Sequence, residues 1–461
     1  MKIQNYPLTG LQRLQRSYIG ALAVVGLSFG LRFWGLGRFN RLVFDETHFV
    51  RFAQGYLQGE PVFDVHPPLG KYLIAVGLWL AQRLPTAAPH EDLGIASAPI
   101  AYRWMTALLG TLIPLLVMGI AHELGQRLPS PARSRFALLA GLFVAIDGLF
   151  VVESRYALIN IHLIFFGLLG HWLWLRAARL NGKVKGRYRI LAGIALGACV
   201  AVKWNGAAFA LGLVLVRGWG EIRSGKWLIY LGIVPIGVYG LLWIPHLLIS
   251  HDNLWDLHRQ IWQFHQRMGQ GEAVHAYCSS WYTWPLLLRP VAYDYQQVGQ
   301  QVYDVHGLGN PPLWWLSTAA VLAVALGLLA ETGQRAVGGF TKTRQKVGSR
   351  SLSIPKTPSQ PGRSSVPRYL IVNYAVNWLP WLLIQRCTFL YHYMPAAVFA
   401  FLTFAWLLSR WLHQRSAETR TISLALITVV LLAALFWLPI YLGLPLSPDA
   451  LRSRWWLKTW I

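Results

Sequence analysis

The sequence predicts an all-α, polytopic integral membrane protein with about eleven transmembrane helices and one further helix along the outer face. Three observations carry that prediction. Of the 461 residues, 55% are hydrophobic and only 13% are charged. Apolar runs of membrane-spanning length recur from end to end. The basic residues, which bring the formal net charge to +24, concentrate in short loops between those runs, as the positive-inside rule requires. Such a composition excludes a string of soluble domains. A β-barrel would need alternating ten-residue segments, which the sequence lacks. The charge is accounted for by topology and implies no nucleic-acid partner. The cysteines, Cys199, Cys278 and Cys387, have no metal-ligand spacing, and their odd number leaves at least one thiol unpaired within a monomer.

The elements follow in order. Lys2, Arg13 and Arg16 precede the first run, Tyr18–Leu36, and no small-residue cleavage site comes before Phe33-Trp34. The run is therefore read as a retained helix leaving a cytoplasmic N-terminus. Residues 38–98 then lie outside. Within them Leu69–Leu84 is marginal in length for crossing, and it is read as the helix that dips into or lies along the outer face. That reading puts the loop after Ile100–Ala121, with Arg127, Arg133 and Arg135 against Glu123, in the cytoplasm. Phe136–Val152 leads out, and Ile161–Leu175 returns to a loop with six basic residues between Arg176 and Arg189 and no acid. Ile190–Val202 and Gly206–Val216 lead to a second basic loop, and Trp227–Leu247 exits to the outside segment 249–312. Leu313–Ala330 returns. Residues 332–368 carry eight Lys/Arg and no acid among Ser, Pro and Gly, and are expected to be a disordered cytoplasmic loop. Tyr369–Ile384, Tyr393–Leu408 and Ile422–Leu442 complete residues 369–461 as C-terminal membrane helices. No internal repeat of the transporter kind is apparent.

Under this topology the polar motifs share the outer face. They are Asp45-Glu46, Asp64-Val65-His66-Pro67-Pro68 followed by Lys71, Arg103, Glu153-Ser154-Arg155-Tyr156, Lys203-Trp204-Asn205 and Arg386 to His392. Ionisable groups beside membrane helices are costly to hold there, which makes them functional candidates. Carboxylates and bases gathered on a surface facing lipid suit a reaction on a lipid-linked phosphate. Arg and Lys would hold the leaving phosphate, and a carboxylate would take a proton from an acceptor hydroxyl. Asp45 and Glu46 are adjacent, so they need not face the same way. Asp45-Glu46 also reads as the N-cap of an interfacial helix. His246, His251, His258 and His265 recur at one-to-two-turn spacing and read as a helix face rather than a metal site. A divalent ion remains an alternative, since carboxylates with phosphate can hold Mg²⁺, but no cofactor or metal is expected.

The stretches Phe44-Asp45-Glu46-Thr47-His48-Phe49 and Phe63-Asp64-Val65-His66-Pro67-Pro68-Leu69-Gly70-Lys71 closely resemble the protein O-mannosyltransferases, membrane enzymes of the GT-C fold. The likeness continues through Ser154-Arg155-Tyr156, Lys203-Trp204, Trp281 to Pro285, Leu288-Arg289-Pro290, Gly309-Asn310-Pro311 and Phe389 to Pro395, and so spans most of the chain. Residues 1–331 would then be the catalytic module. The resemblance implies transfer of mannose, with inversion, from a polyprenyl-phosphate carrier to a Ser or Thr hydroxyl of an exported protein, at the outer face of a bacterial inner (plasma) membrane. It implies Asp45 as base with Glu46 beside it, and Asp64 and His66 shaping the sugar and acceptor pocket. It implies Arg103 near the donor phosphate, and Lys71, Arg155, Tyr156, Lys203, Arg386 and His392 as further substrate contacts. Two departures stand out. The outside loop of about 60 residues is too short for the β-trefoil MIR insertion of eukaryotic members, which implies a bacterial type. Asn160 stands where the family often has Asp. The competing readings are the same fold acting on a lipid or envelope-glycan acceptor, and a transporter, which would need its polar residues near mid-bilayer.

Overall fold

A computed structural model of the chain describes residues 10–83, 98–216, 225–267, 275–345 and 365–461. The first helices are α1 (Gly10–Phe33), α2 (Glu46–Gln58), α3 (Leu69–Ala81) and α4 (Pro99–Leu124). Gly59 ends α2 in the left-handed region, at φ 72°, its amide returning to the Gly55 carbonyl. Pro68 sets the start of α3, as the Pro-Pro step predicts. At 13 residues α3 is about 20 Å long. That is too short to cross a core of about 30 Å unaided.

Phe136–Val152, expected as one helix, is two. Helix α5 (Ser130–Ile146) and α6 (Gly148–Arg155) meet at a bend of 58°. Asp147 stands at the break and N-caps α6, accepting from the Phe150 amide at 3.3 Å. Its other oxygen accepts from the Asn310 amide (2.8 Å) and the Trp314 indole (2.7 Å). From the opposite side Arg32 donates to the Val144 and Ala145 carbonyls at the end of α5. The bend therefore satisfies its own orphan backbone groups.

Helices α7 (Asn160–Ala177), α8 (Gly182–Val202) and α9 (Ala207–Leu215) follow, then α10 (Lys226–Ser250) and the amphipathic α11 (Leu254–Arg267). Helix α8 begins before the expected Ile190, taking Lys183, Lys185, Arg187 and Arg189 into its first turns. The remaining helices are α12 (Pro311–Gln345), α13 (Ser365–Trp378), α14 (Met394–Trp411), α15 (Ala417–Leu442) and the short α16 (Pro448–Arg452). Helix α12 runs on to Gln345 instead of stopping at Ala330, so the front of the expected disordered loop is helical. Residues 346–364 of that loop lie outside the described residues. Helix α13 gives way at Pro380 to a 3₁₀ turn, Leu379–Leu383.

The all-α expectation needs one addition. Strands β1 (Val291–Val298) and β2 (Gln301–Gly307) form an antiparallel hairpin, with β3 (Pro445–Leu446) on the far side of β2. Val298 pairs with Gln301, leaving a two-residue loop opened by Gly299 at φ 59°. The sequence signal was present, alternating Tyr, Asp and Val around Gly-Gln. That signal is short, and apolar helical runs surround it on both sides.

Among the described residues, five helices are long and apolar enough to cross a membrane, in α4, α10, α12, α14 with its preceding turn, and α15; α5 with α6 makes a sixth if counted as one span. The α14 span is 94% buried, whereas those of α10 and α15 are 17% and 22% buried. A helix that is apolar all round and lines the outside needs an apolar solvent. The chain is thus a multi-pass membrane protein packed around α14.

Candidate active site

The site begins with a backbone anomaly. Phe44 has φ 53°, a left-handed conformation costing roughly 1–2 kcal/mol for a residue with a Cβ. Its ring is held by Tyr293 at 4.7 Å and by Tyr391 and His275 at 6.4 Å. The turn sends the next two side chains in different directions. Glu46 goes inward, is fully buried, and forms an ion pair with Arg103. Asp45 stays half-buried at the N-cap position of α2 without making a capping bond.

Both Glu46 oxygens are saturated. One accepts from Arg103 Nε and the Ala157 amide, each at 2.8 Å, and the other from Arg103 Nη2 (2.8 Å) and the Val43 amide (2.9 Å). Arg103 spends its remaining donors on the Leu36, Phe39 and Arg41 carbonyls, and the Tyr156 ring lies 4.8 Å from its guanidinium carbon. Arg155 donates to the Leu31, Arg32, Trp34 and Gly35 carbonyls, capping the C-terminal end of α1. The structure therefore does not bring Glu46, Arg103, Arg155 or Tyr156 to a substrate-accessible wall. They fasten the loop before α2 to α1, α4 and α6.

A different set does converge. A cleft of about 1030 Å³ opens between the α8–α9 break, α11 and the segment from α13 to α14. Its polar wall holds His66, Lys203, His265, Arg386 and His392. Its other wall is apolar, with Ala208, Leu211, Val376, Leu383 and Ile384. Leu211 and Leu383 are 46% and 80% exposed, so the apolar wall continues onto the outer surface of the helices. Asp64 and Lys71 lie just behind His66. They form an ion pair at 2.5 Å, and Lys71 also donates to the His66 carbonyl at 2.7 Å, holding the Asp64–His66 turn in place.

Lys203 Nζ donates to Asn160 Oδ1 at 2.8 Å, and Asn160 Nδ2 donates to Glu153 at 3.1 Å. The other Glu153 oxygen accepts from the Tyr293 hydroxyl. Tyr293 is the bulged residue of β1, and the bulge turns its ring inward. The departure noted at Asn160 now has a physical reason. A bridge between an ammonium and a carboxylate needs an acceptor and a donor on one side chain, which an ionised Asp does not have.

Asp45 is not among the residues lining the cleft, but it feels its charges: Lys203 is the strongest opposing charge acting on it, ahead of His48. Burial nonetheless raises the Asp45 carboxyl above its usual 3.8. Burial also holds the His66 imidazole well below its usual 6.5 and pushes His265 down to about 4, so both are neutral hydrogen-bonding groups at pH 7. Among the described residues no three His, Cys, Asp or Glu side chains form a metal-ligand group, and His258 and His265 instead stack around Trp204. Glu153, Tyr293 and His265 were not singled out as site residues from the sequence. Glu153 lay within a polar motif already noted. Tyr293 carried no local signal and His265 was read only as one of a series of histidines on a helix face, because each reaches the site through tertiary packing.

Residues 22–263 match the family described as dolichyl-phosphate-mannose-protein mannosyltransferase, and residues 250–460 match the C-terminal four-transmembrane region of protein-O-mannosyltransferase. The chain belongs to the protein O-mannosyltransferase family. It is thus a glycosyltransferase, and a mannosyltransferase by family. Among relatives, it is 26% identical to a polyprenol-phosphate-mannose–protein mannosyltransferase of Mycobacterium tuberculosis, over 98% of this chain and 93% of the relative. It is 25% identical to the Mycolicibacterium smegmatis protein of the same name, over 91% of this chain and 87% of the relative. The fold is shared with the Saccharomyces cerevisiae protein O-mannosyltransferase Pmt1-Pmt2 complex bound to the sugar donor (TM-score 0.78, 15% identity, 97% of this chain and 93% of that one). It is also shared with ArnT from Cupriavidus metallidurans bound to undecaprenyl phosphate (TM-score 0.53, 14% identity, 94% and 66%). This protein O-mannosyltransferase therefore has the GT-C architecture that its motifs implied.

Proposed function

We propose that this protein O-mannosyltransferase moves mannose, with inversion, from a polyprenyl-phosphate carrier to a Ser or Thr hydroxyl of an exported protein at the outer face of a bacterial plasma membrane. The observation that carries the reading is the two-sided cleft. Its apolar wall continues onto the helix exterior, its polar wall carries Lys203 and Arg386, and Asp45, a carboxylate of raised pKa, is within the electrostatic reach of Lys203. A polyprenyl phosphate has the same two-sided chemistry.

In the mechanism, Lys203 and Arg386 hold the donor phosphate and stabilise the negative charge that grows on it. Neutral His66 and His265 offer hydrogen bonds without adding charge, and His392 lines the same wall. The acceptor hydroxyl attacks the anomeric carbon opposite the phosphate oxygen. Its proton passes to Asp45, the new glycosidic C–O bond forms, and the old one breaks with its electron pair going to polyprenyl phosphate. Glu153 acts through Asn160 to keep Lys203 aimed at the phosphate. Glu46 and Arg103 position the loop that presents Asp45. The reaction as proposed needs no metal, because Lys203 and Arg386 supply the positive charge, and unchanged turnover in EDTA is the expected outcome. The topology that goes with this reading has a cytoplasmic N-terminus, eleven crossings and α3 along the outer face.

The test is reconstitution. Purified protein, polyprenyl-phosphate mannose and a Ser/Thr peptide should give mannosyl-peptide with the opposite anomeric configuration to the donor. Transfer to a glycolipid and to no peptide would favour the other acceptor class, and retained configuration would remove the single displacement.

A further inference from the structure

Cys278 and Cys387, 109 residues apart in sequence, are joined by a disulfide. Arg386, which lines the cleft, is the residue immediately before Cys387. Residues 384–389 have no regular secondary structure, so no helix or sheet ladder fixes the Arg386 backbone. What fixes it is a clasp to the segment after His275. The Ser279 amide donates to the Thr388 carbonyl, and the Thr388 hydroxyl returns to the Ser279 carbonyl, both at 2.8 Å. The Trp284 indole donates to Ser279 Oγ at 2.9 Å, and its ring stacks over His392, another cleft residue. The disulfide is the covalent member of that clasp. On its other arm His275 packs against Phe44, the residue that aims Asp45, and against Phe389. One covalent bond thus links the phosphate side of the cleft to the base side.

We propose that the Cys278–Cys387 disulfide is a positioning element for donor binding, holding Arg386 in the cleft when oxidised and releasing it when reduced. This rests on the reading of the cleft as the donor phosphate site. The chain's third cysteine does not compete for the pair. Cys199 is fully buried and donates to the Leu163 carbonyl. Both paired cysteines are half-buried, within reach of a small reductant. The bond forms when the two thiols lose two electrons and two protons to a dithiol–disulfide exchange partner, whose own disulfide is reduced. Such partners operate on the oxidising side of a membrane, the side proposed for catalysis. Mannosyl transfer would then begin only after the enzyme has met that environment.

The test uses the full-length protein in nanodiscs and reads the donor KM, kcat and the binding of polyprenyl phosphate alone. Reduction with a phosphine, or Cys278→Ser with Cys387→Ser, should raise the donor KM and weaken polyprenyl phosphate binding about tenfold, with a smaller change in kcat, the effect of a misplaced binding group. The double serine variant should not respond to the phosphine. In an Arg386→Ala background, itself weakened about tenfold or more by loss of a charged contact, reduction should add little further. A reduced enzyme with unchanged donor KM and only a lower melting temperature would make the bond merely structural and overturn the proposal. So would a full additional effect of reduction in the Arg386→Ala background. Arg386→Ala with unchanged donor affinity would instead overturn the donor-site reading, and this inference with it.

Discussion

The separation of Asp45 from Glu46 is open to a sharp test, because the two substitutions that remove one charge each should fail in opposite ways. Each Glu46 carboxylate oxygen accepts from two donors, Arg103 Nε with the Ala157 amide and Arg103 Nη2 with the Val43 amide, and Glu46→Gln replaces one of those oxygens by an NH₂ group. Whichever way the amide is turned, its NH₂ group meets two N–H groups and loses both bonds. Each bond involving a charged partner is worth about 1.5–3 kcal/mol. Arg103, fully buried, is left without its counter-charge. Breaking one side of a buried pair costs about 3–5 kcal/mol. Glu46→Gln should therefore express poorly and melt well below wild type. The molecules that do fold should keep turnover within about tenfold of wild type, because no charge in contact with substrate has changed. Asp45→Asn removes a carboxylate that makes no capping bond and whose ionised form is disfavoured by its surroundings. It should melt at or above the wild-type temperature at pH 7, bind donor normally, and lose about 10²–10⁴ in kcat. Detergent-solubilised melting curves, polyprenyl phosphate binding and single-turnover transfer read all three quantities. A Glu46→Gln protein as stable as wild type but as inactive as Asp45→Asn would refute the assignment of Glu46 to the scaffold.

The remaining predictions concern the same network. The pH–rate profile should lose activity as pH falls through the Asp45 value, and that acid limb should lie above the ordinary 3.8 because burial raises it; a limb at or below 3.8 would remove Asp45 as the titrating base. Lys203→Met should raise the donor KM at least tenfold by removing one of two charged phosphate contacts, while leaving Asn160 and Glu153 to pair with each other; unchanged donor affinity would move the phosphate elsewhere. Asn160→Asp should fall between these, since its acid can accept from Lys203 but cannot donate to Glu153. A several-fold loss of kcat/KM, partly recovered by adding Glu153→Gln, would support the bridge, and wild-type kinetics for Asn160→Asp would refute it.

Much of the fold was legible in the sequence because the bilayer imposes a length and a composition on every span. Ile100–Ala121 corresponds to α4, and Ile422–Leu442 lies within α15, on hydropathy alone. What was not legible needed partners distant in sequence. The break at Asp147 looks, locally, like one acid inside an apolar run. Only the Asn310 amide and the Trp314 indole, about 160 residues on, reveal it as a capped bend. The site divides the same way. The cluster of His66, Lys203, Arg386 and His392 was predicted by residue type and a shared face, and the cleft brings the four together. Glu46 and Arg103 carry equally charged side chains and sit in equally suggestive motifs. A motif records that positions matter together, and a buried ion pair satisfies that requirement as well as a substrate contact does.

The residue that decides between those two fates is Phe44, and its effect cannot be read from charge. With an ordinary helical or extended φ at Phe44, Asp45 and Glu46 would follow a different course, and the four donors that wait for a carboxylate at Glu46 would not be met by it. The left-handed turn is tolerable because Tyr293, Tyr391 and His275 hold the ring from three sides. Tyr293 is in turn aimed by a bulge in β1 and tied to Glu153, which reaches Lys203 through Asn160. The same short hairpin therefore reaches both the proposed base, through Phe44, and the proposed phosphate-side cation, through Glu153.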